Sequence, residues 1–288
     1  MAWLNIILQG ALLGGLYALF AAGLSLMFGV MRLVNIAHGD LIVLSAYCAL
    51  VIVQATGMHP LASLVLVVPL MFAFGYALQR GLLNFTLSGG LLPPLLVTFG
   101  LSVIIQNALL EAFSADSRRL QAGALETASL RLGDQLAIGW LPAIVFIVAV
   151  VVIALLEQLL YRTALGRAFR AVSDDADTAQ LSGVEIRHVF ALATALALAV
   201  VSLAGVLLAI RTNFDPSIGP ARLLYAFEAV IIGGLGSLWG TLAGGVLLGI
   251  AQSLGAALDP GWEILAGHIA FLLVLVLRPR GLFPKQAE

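Results

Sequence analysis

IIGGLGSLWGTLAGG, residues 231 to 245, lies in the middle of an apolar run from about 223 to 256. That run holds 34 residues, too many for one membrane crossing of about 20 and few for two. Gly233, Gly234 and Gly236 cluster where a break would fall, because glycine adopts the turn conformations that end a helix at little steric cost. The run is read as a broken helical hairpin, two short half-helices meeting near Gly236. Gly236, Gly240 and Gly244 also repeat at four-residue spacing, as do Gly245 with Gly249 and Gly10 with Gly14. Small residues so spaced share one helix face and let two backbones approach closely.

The surrounding chain fits a protein dissolved in lipid. Of its 288 residues 61% are hydrophobic and 10% charged, against the roughly 25% charge usual for a soluble domain. Mean hydropathy is +1.09. Further apolar runs lie at about 4–30, 39–56, 61–79, 91–112, 140–160, 189–210 and 263–277. The fold class is therefore an all-α polytopic membrane protein with about 8–9 transmembrane helices, organised as one domain over 1–288. No Lys or Arg precedes Arg32, so the first run lacks the positive start of a secretory signal and is expected to be a retained helix. Cys48 is the only cysteine, which excludes an internal disulfide and points to a small core-filling residue.

Basic residues orient the spans. With the N-terminus outside, the inner side receives Arg32, Arg80, Arg162, Arg167, Arg170, Arg187, Arg278, Arg280 and Lys285. The outer side receives Arg118, Arg119, Arg131, Arg211 and Arg222. That is nine against five of the 14 basic residues, and the positive-inside rule favours this choice. It requires 223–256 to cross twice or re-enter. An outer loop at about 113–139 then carries "LETASLRLG", whose alternation suggests a small strand pair; it reads equally as a docking surface or a connector.

An inner loop at about 161–188 concentrates the charge. From Gly166 to Arg187 seven of 22 residues are charged: Arg167, Arg170, Asp174, Asp175, Asp177, Glu185 and Arg187. "LGRAFRAV" predicts a helix with Arg167 and Arg170 on one cationic face. Ser173 and Asp174 are expected to end it, with Asp174 and Asp177 resembling a capping arrangement for a second short helix. That helix runs through Ala176, Ala179 and Leu181, and Gly183 suits the C′ position. Small alanines facing outward among charges would suit a groove on another protein; a solvated connector is the alternative.

Polar residues within the spans mark candidate pathway positions, since lipid makes them costly. Asn35, His38 and Asp40 begin the second span and are expected at its inner membrane edge, in a structural or gating role or as a proton relay. Gln106 and Asn107 are adjacent, so about 100° separates them on a helix and at most one lines a pore. Glu228 lies within two turns of Arg222, which suggests an interfacial ion pair or a cavity-lining acid. With these we group Gly233, Gly234 and Gly236 as candidate translocation-path residues. His268 is expected to donate between helices.

No catalytic constellation is present, and no metal site is expected. His38, His59, His188 and His268 show no HExxH spacing, and no GxSxG occurs. Lys285 is the only lysine, and "GGLGS" lacks the lysine of a P-loop. The chain cannot bind ATP by that route, so any ATP-driven transport needs a partner ATPase. The near-neutral charge of −1 gives no footprint for nucleic acid.

"NIAHGDLIVLSAY", "TFGLSVIIQN", "GRAFRAVSDDADTAQLSGV", "VSLAGVLLA" and "EAVIIGGLGSLWGTLAGGVLLG" together resemble the LivH-type permeases of branched-chain amino acid ABC importers, in order and over nearly the whole chain. The resemblance implies a bacterial inner-membrane pore subunit that pairs with a LivM-like permease. Two cytoplasmic ATPases that bind ATP and a periplasmic substrate-binding protein would complete the importer, with no cofactor held by this chain. It also implies that the loop carrying Gly166, Arg167, Arg170, Asp174, Asp175, Ala176, Ala179 and Gly183 docks on the ATPase. Urea and short-chain amide importers use similar permeases, so the machine is better defined than its cargo. The rival classes are an ion-coupled secondary transporter, in which His38, Asp40 or Glu228 would matter most, and an assembly protein without transport of its own.

Overall fold

Twelve α-helices and one β-hairpin make up residues 2–87, 90, 92–132 and 136–283, the parts of the chain that a computed structural model describes. Lys285, one of the expected inner cations, lies outside the described residues, as does Gly133 of the outer loop. Among the described residues eight helices are long and apolar enough to cross a membrane.

Two of these form the centre. Helix α1 (Ala2–Met31) and helix α9 (Ile186–Arg211) are apolar on all sides and largely buried. Small residues let them be surrounded at close range. A Cβ on Gly14 of α1 would lie 2.4 Å from the Val246 Cα of helix α11 (Leu238–Leu258). Gly249 of α11 meets the Gly10 carbonyl in the same way, at 2.3 Å. Gly10 pairs with Ile250 and Gly14 with Val246, so the two helices run antiparallel along this glycine seam. Without a hydrophobic gain between helices in lipid, such backbone contact is what favours association.

The remaining spans enclose this pair. Helices α2 (His38–Thr56), α3 (Leu64–Gly81) and α6 (Trp140–Arg162) pack on it, while α4 (Leu92–Phe113) lies against α2 and α12 (Glu263–Leu277) against α11. Outward-facing positions such as Val65, Leu96, Ile104 and Val276 are large, apolar and exposed, which is unfavourable in water and suitable against acyl chains.

The hairpin is present with unequal arms. Helix α10 (Gly219–Gly233) ends at Gly234, with φ +105°, and Gly236 follows with φ +80°. Ser237 caps α11, its Oγ accepting from the Gly240 amide at 3.1 Å. At about 1.5 Å per residue α10 is roughly 22 Å long and α11 roughly 32 Å, so only α11 matches a bilayer core of about 30 Å. The break satisfies its own carbonyls through the C-terminal segment. Leu282 and Phe283 amides donate to Ile232 and Gly233 carbonyls at 2.8 and 3.0 Å.

Arg32 and Arg80 fall at the opposite end from Arg118, as the sequence implies, whereas Arg222, expected on the outer side, stands in the first turn of α10, over Tyr225. Arg32 reaches the Ser173 carbonyl at 3.3 Å, and Arg80 pairs with Glu185 at 3.1 Å, both at the end carrying helices α7 (Ala164–Asp174) and α8 (Ala176–Leu181). At the other end Arg118 pairs backbone to backbone with Phe214. The short helix α5 (Ala124–Thr127) also lies there, with strands β1 (Ser129–Leu132) and β2 (Leu136–Gly139). These are antiparallel, Ser129 opposite Gly139 and Leu132 opposite Leu136, the strand pair expected from the alternation.

Candidate functional site

The first site forms where α2 begins. Arg32 adopts φ +53° and turns the chain back at the end of α1, and the next residues run irregularly into the bundle. His38, at the start of α2, donates from Nε2 to the Phe20 carbonyl at 2.7 Å. Phe20 precedes Met31 by eleven residues, so the chain has returned about 16 Å along α1. The expectation that His38 and Asp40 sit at an inner membrane edge is therefore overturned. Both are buried level with the middle of α1.

Irregular backbone at that depth survives only where the protein supplies its hydrogen bonds. Here Asn35 Oδ1 accepts from the Ala37 amide at 3.0 Å, and its carbonyl accepts from the His38 amide at 3.2 Å. Thr98 Oγ1 of α4 accepts from the Ile36 amide at 3.2 Å. One turn deeper, Ser102 Oγ donates to Asp40 Oδ2 at 2.5 Å and Gln106 Nε2 donates to Asp40 Oδ1 at 3.0 Å. No ion pair reaches Asp40 among the described residues. Its charge is offset by those two donors and by two helix N-termini, its own at α2 and that of α10. Gly219, the first residue of α10, makes the second possible, since a Cβ there would lie 2.0 Å from Asp40 Oδ1.

His38 and Asp40 bond to different helices and not to each other, so no proton relay joins them here. Gln106 faces the cluster, while Asn107 is exposed and donates only to its own Val103 carbonyl at 2.8 Å. The two diverge as adjacent helical positions must. Thr98, Ser102 and Gly219 did not figure among the expected site residues. Thr98, Ser102 and Gln106 recur every four residues along α4, and that polar stripe was the available signal.

Glu228 does not pair with Arg222. Its Oε1 instead meets His268 Nδ1 of α12, bearing out His268 as an inter-helix partner. Arg222 instead lies over the Tyr225 ring, its guanidinium carbon 5.8 Å from the centroid, within cation–π reach. Gly233, Gly234 and Gly236 form the α10–α11 break and do not approach Asp40; Gly233 packs on the Gly240 backbone.

The second site is the charged loop. Helix α7 folds back on the end of α6: a Cβ on Gly166 would lie 2.2 Å from the Leu159 and Leu160 carbonyls. Thr163 caps it by accepting from the Gly166 amide at 3.0 Å. Gly166, Phe169 and Val172 face inward, and Ser173 Oγ donates to the Gly29 carbonyl at 2.7 Å, fastening α7 to the end of α1. Arg167 is exposed, whereas Arg170 turns back with its guanidinium 5.0 Å from the Tyr161 ring centroid. The single cationic face expected of this pair is thus divided.

The cap of α8 is Asp175. Its Oδ1 accepts from the Asp177 and Thr178 amides at 3.0 and 3.1 Å, and its Oδ2 from Thr178 Oγ1 at 2.6 Å. Those donors hold its carboxyl below the ordinary value, the Thr178 hydroxyl contributing most. Asp174, expected to cap, is the last residue of α7. Gly183 has φ +87°, its amide donates to the Gln180 carbonyl, and the Val184 amide donates to Ala179. This is the C-terminal motif anticipated at that glycine. The outward alanines are corrected: Ala179 is buried, Ala176 is half-buried, and Leu181 is 90% exposed. The outward group is a leucine ringed by polar residues.

No cluster of His, Cys, Asp and Glu among the described residues could hold a metal ion. Residues 6–277 match the family described as branched-chain amino acid transport system / permease component. The chain is 30% identical to the high-affinity branched-chain amino acid transport system permease protein BraD of Pseudomonas aeruginosa, over 97% of this chain and 95% of that one. It is 28% identical to the corresponding LivH of Escherichia coli K12, over 95% and 93%. A fructose import permease protein, FrcC of Rhizobium meliloti, is 32% identical over 68% of this chain and 58% of its own. The match over residues 6–277 and the 30% identity to BraD over 97% of this chain, in keeping with eight helices among the described residues long and apolar enough to cross a membrane, show that the chain belongs to the family of branched-chain amino acid transport system permease components.

Proposed function

We propose that this chain is the transmembrane permease subunit of an ABC importer for branched-chain, hydrophobic amino acids in a bacterial cytoplasmic membrane. It pairs with a LivM-like permease, receives cargo from a periplasmic binding protein, and is driven by two ATPases that dock on the α7–α8 unit at the cytoplasmic side. It catalyses no chemistry itself. The observation that carries this reading is the α7–α8 unit. It is capped at both helices and fastened to α1 through Ser173 and Gly29, and it presents Leu181 outward. A rigid unit of this kind can pass a movement at its surface into the central helix as a displacement and not as a local deformation.

Within the path, the α2 start and the α10 N-terminus meet at half depth around Asp40, the arrangement in which broken helices of transporters form sites. Asn35, His38, Asp40 and Gln106 are the residues assigned to it; Asn107 faces away, towards lipid or the second permease. A sugar as cargo is the second reading, favoured by the similarity to a fructose import permease.

The test is reconstitution of the chain with its partner permease, ATPases and binding protein in proteoliposomes, with leucine, fructose and urea as cargo. ATP-dependent leucine uptake that survives a protonophore is the expected result. Uptake without the ATPases, abolished by the protonophore, would contradict it.

A further inference from the structure

In the half of the bundle nearer strands β1 and β2, three buried polar atoms lack a partner. Arg211 Nη1, Arg222 Nε and Gln252 Nε2 are closed off from solvent and make no hydrogen bond. Arg211 is the last residue of α9, Arg222 stands in the first turn of α10, and Gln252 lies near the end of α11. Two buried tyrosines connect them. The Tyr17 hydroxyl of α1 donates to Gln252 Oε1 at 2.5 Å, which leaves the donor side of that amide open. The Tyr17 ring packs on Tyr225, 5.1 Å between centroids, and Tyr225 in turn lies under the Arg222 guanidinium. Arg211 and Arg222 are both close enough to the Tyr17 hydroxyl for their charges to act on it.

All three orphaned atoms are donors. A buried N–H without an acceptor is costly, and more so on a charged group. Two guanidiniums about one tyrosine also repel each other. The nearby acids do not offset them. Glu263 of α12 and Glu228 of α10 lie close to Tyr225, but Glu228 is engaged by His268. Among the described residues no ion pair reaches Arg211 or Arg222. What the cluster lacks is an acceptor that carries negative charge.

We propose that Arg211, Arg222 and Gln252 form a carboxylate site, which receives the carboxylate of the cargo amino acid as it enters from the outer side. This rests on the function proposed above. A guanidinium presents its donors in a planar fork that a carboxylate matches, and the Tyr17 and Tyr225 rings offer apolar surface to an aliphatic side chain. Gly267 of α12 leaves space beside the amide, since a Cβ there would lie 2.9 Å from Gln252 Nε2. The site also adjoins the half-depth cluster: Gly219, which packs on Asp40, belongs to the same first turn of α10 as Arg222. It is shut in this structure. Displacement of α12, the least buried of the candidate spans, opens it, in keeping with alternating access.

The test is thermal unfolding of the full chain in dodecyl maltoside, a detergent with neither phosphate nor carboxylate. Leucine and isocaproate, which carry a carboxylate, should raise the midpoint saturably, and leucinol, which lacks one, should not. Arg222→Met and Gln252→Leu should each weaken the leucine response at least about tenfold, as loss of a hydrogen bond to a charged group does. Neither should lower the midpoint of the ligand-free chain, where a merely structural role would do so. Arg222→Lys should keep part of the response, and Gly267→Ala, which retains every donor but crowds the amide, should weaken it. No response to leucine and isocaproate, or one untouched by Arg222→Met and Gln252→Leu, overturns the site. A midpoint raised by phosphatidylglycerol and not by leucine assigns the donors to lipid phosphate and overturns it as well. ATP-driven uptake in the reconstituted importer is measured in parallel. Uptake without a leucine response counts against this site alone, and a response without uptake against the transport function alone.

Discussion

Ser102 of α4 donates to the Asp40 carboxylate of α2 at 2.5 Å, deep in the bundle. The bond ties a peripheral helix to the irregular start of α2, the place where the chain departs most from regular membrane helix. Removing the hydroxyl leaves a buried carboxylate with Gln106 as its remaining side-chain donor. Ser102→Ala should cost about 1.5–3 kcal/mol, the usual range for a hydrogen bond to a charged group, and Ser102→Thr should recover most of it. Thermal unfolding of the detergent-solubilised chain measures this. Equal midpoints for wild type and Ser102→Ala would mean the bond does not secure α2.

The glycine seam makes a sharper steric prediction. At Gly14 a new Cβ would meet backbone of α11 at 2.4 Å, and backbone cannot rotate away as a side chain can. Gly14→Ala should destabilise by about 1–3 kcal/mol, as overpacking commonly does. Gly100→Ala, on the open face of α4 with nothing within 4 Å, should be neutral or slightly stabilising. The same unfolding assay compares the pair, and equal losses at the two positions would refute the packing argument.

Asp175 gives a pH prediction with a definite sign. Its carboxyl is held below the ordinary value of 3.8 in the folded loop, so ionisation favours the capped form. That contribution is fully present above the ordinary value and is lost as pH falls through the depressed one. Hydrogen exchange of the Asp177 and Thr178 amides should therefore accelerate, beyond its intrinsic pH dependence, as the solution is acidified below 3.8. Asp175→Asn, which caps without titrating, should abolish the extra acceleration. An unchanged profile in Asp175→Asn would exclude this carboxyl as the cause.

Much of the architecture was legible because lipid leaves few options. Long apolar runs had to be helices, and clustered glycines at 233, 234 and 236 had to break one. Two features were not legible. The first is depth: nothing in "VNIAHGD" distinguishes an edge from a re-entrant segment, since that depends on where Arg32 turns the chain and on which helix supplies Thr98. The second is facing in short helices. Ala179 and Leu181 are two residues apart, and which points outward depends on how Gly166 and Ser173 seat α7 against its neighbours. Asp174 and Asp175 are alike in type, and only the backbone at 175, φ −151° and ψ 105°, makes that residue the cap. Pairing at distance was equally hidden, as Glu228 took His268, 40 positions away, over nearby Arg222.

The central claim is that the α7–α8 unit meets the ATPase through Leu181. Leu181 is 90% exposed, so its replacement should leave folding intact. The most direct measurement is cross-linking of Leu181→Cys, in a Cys48→Ser background, to single cysteines on the partner ATPase in the assembled complex. The account predicts a cross-link at Leu181→Cys that changes in yield with ATP, and loss of ATPase association in Leu181→Asp at unchanged thermal stability. No cross-link from this position, together with wild-type association of Leu181→Asp, would contradict it.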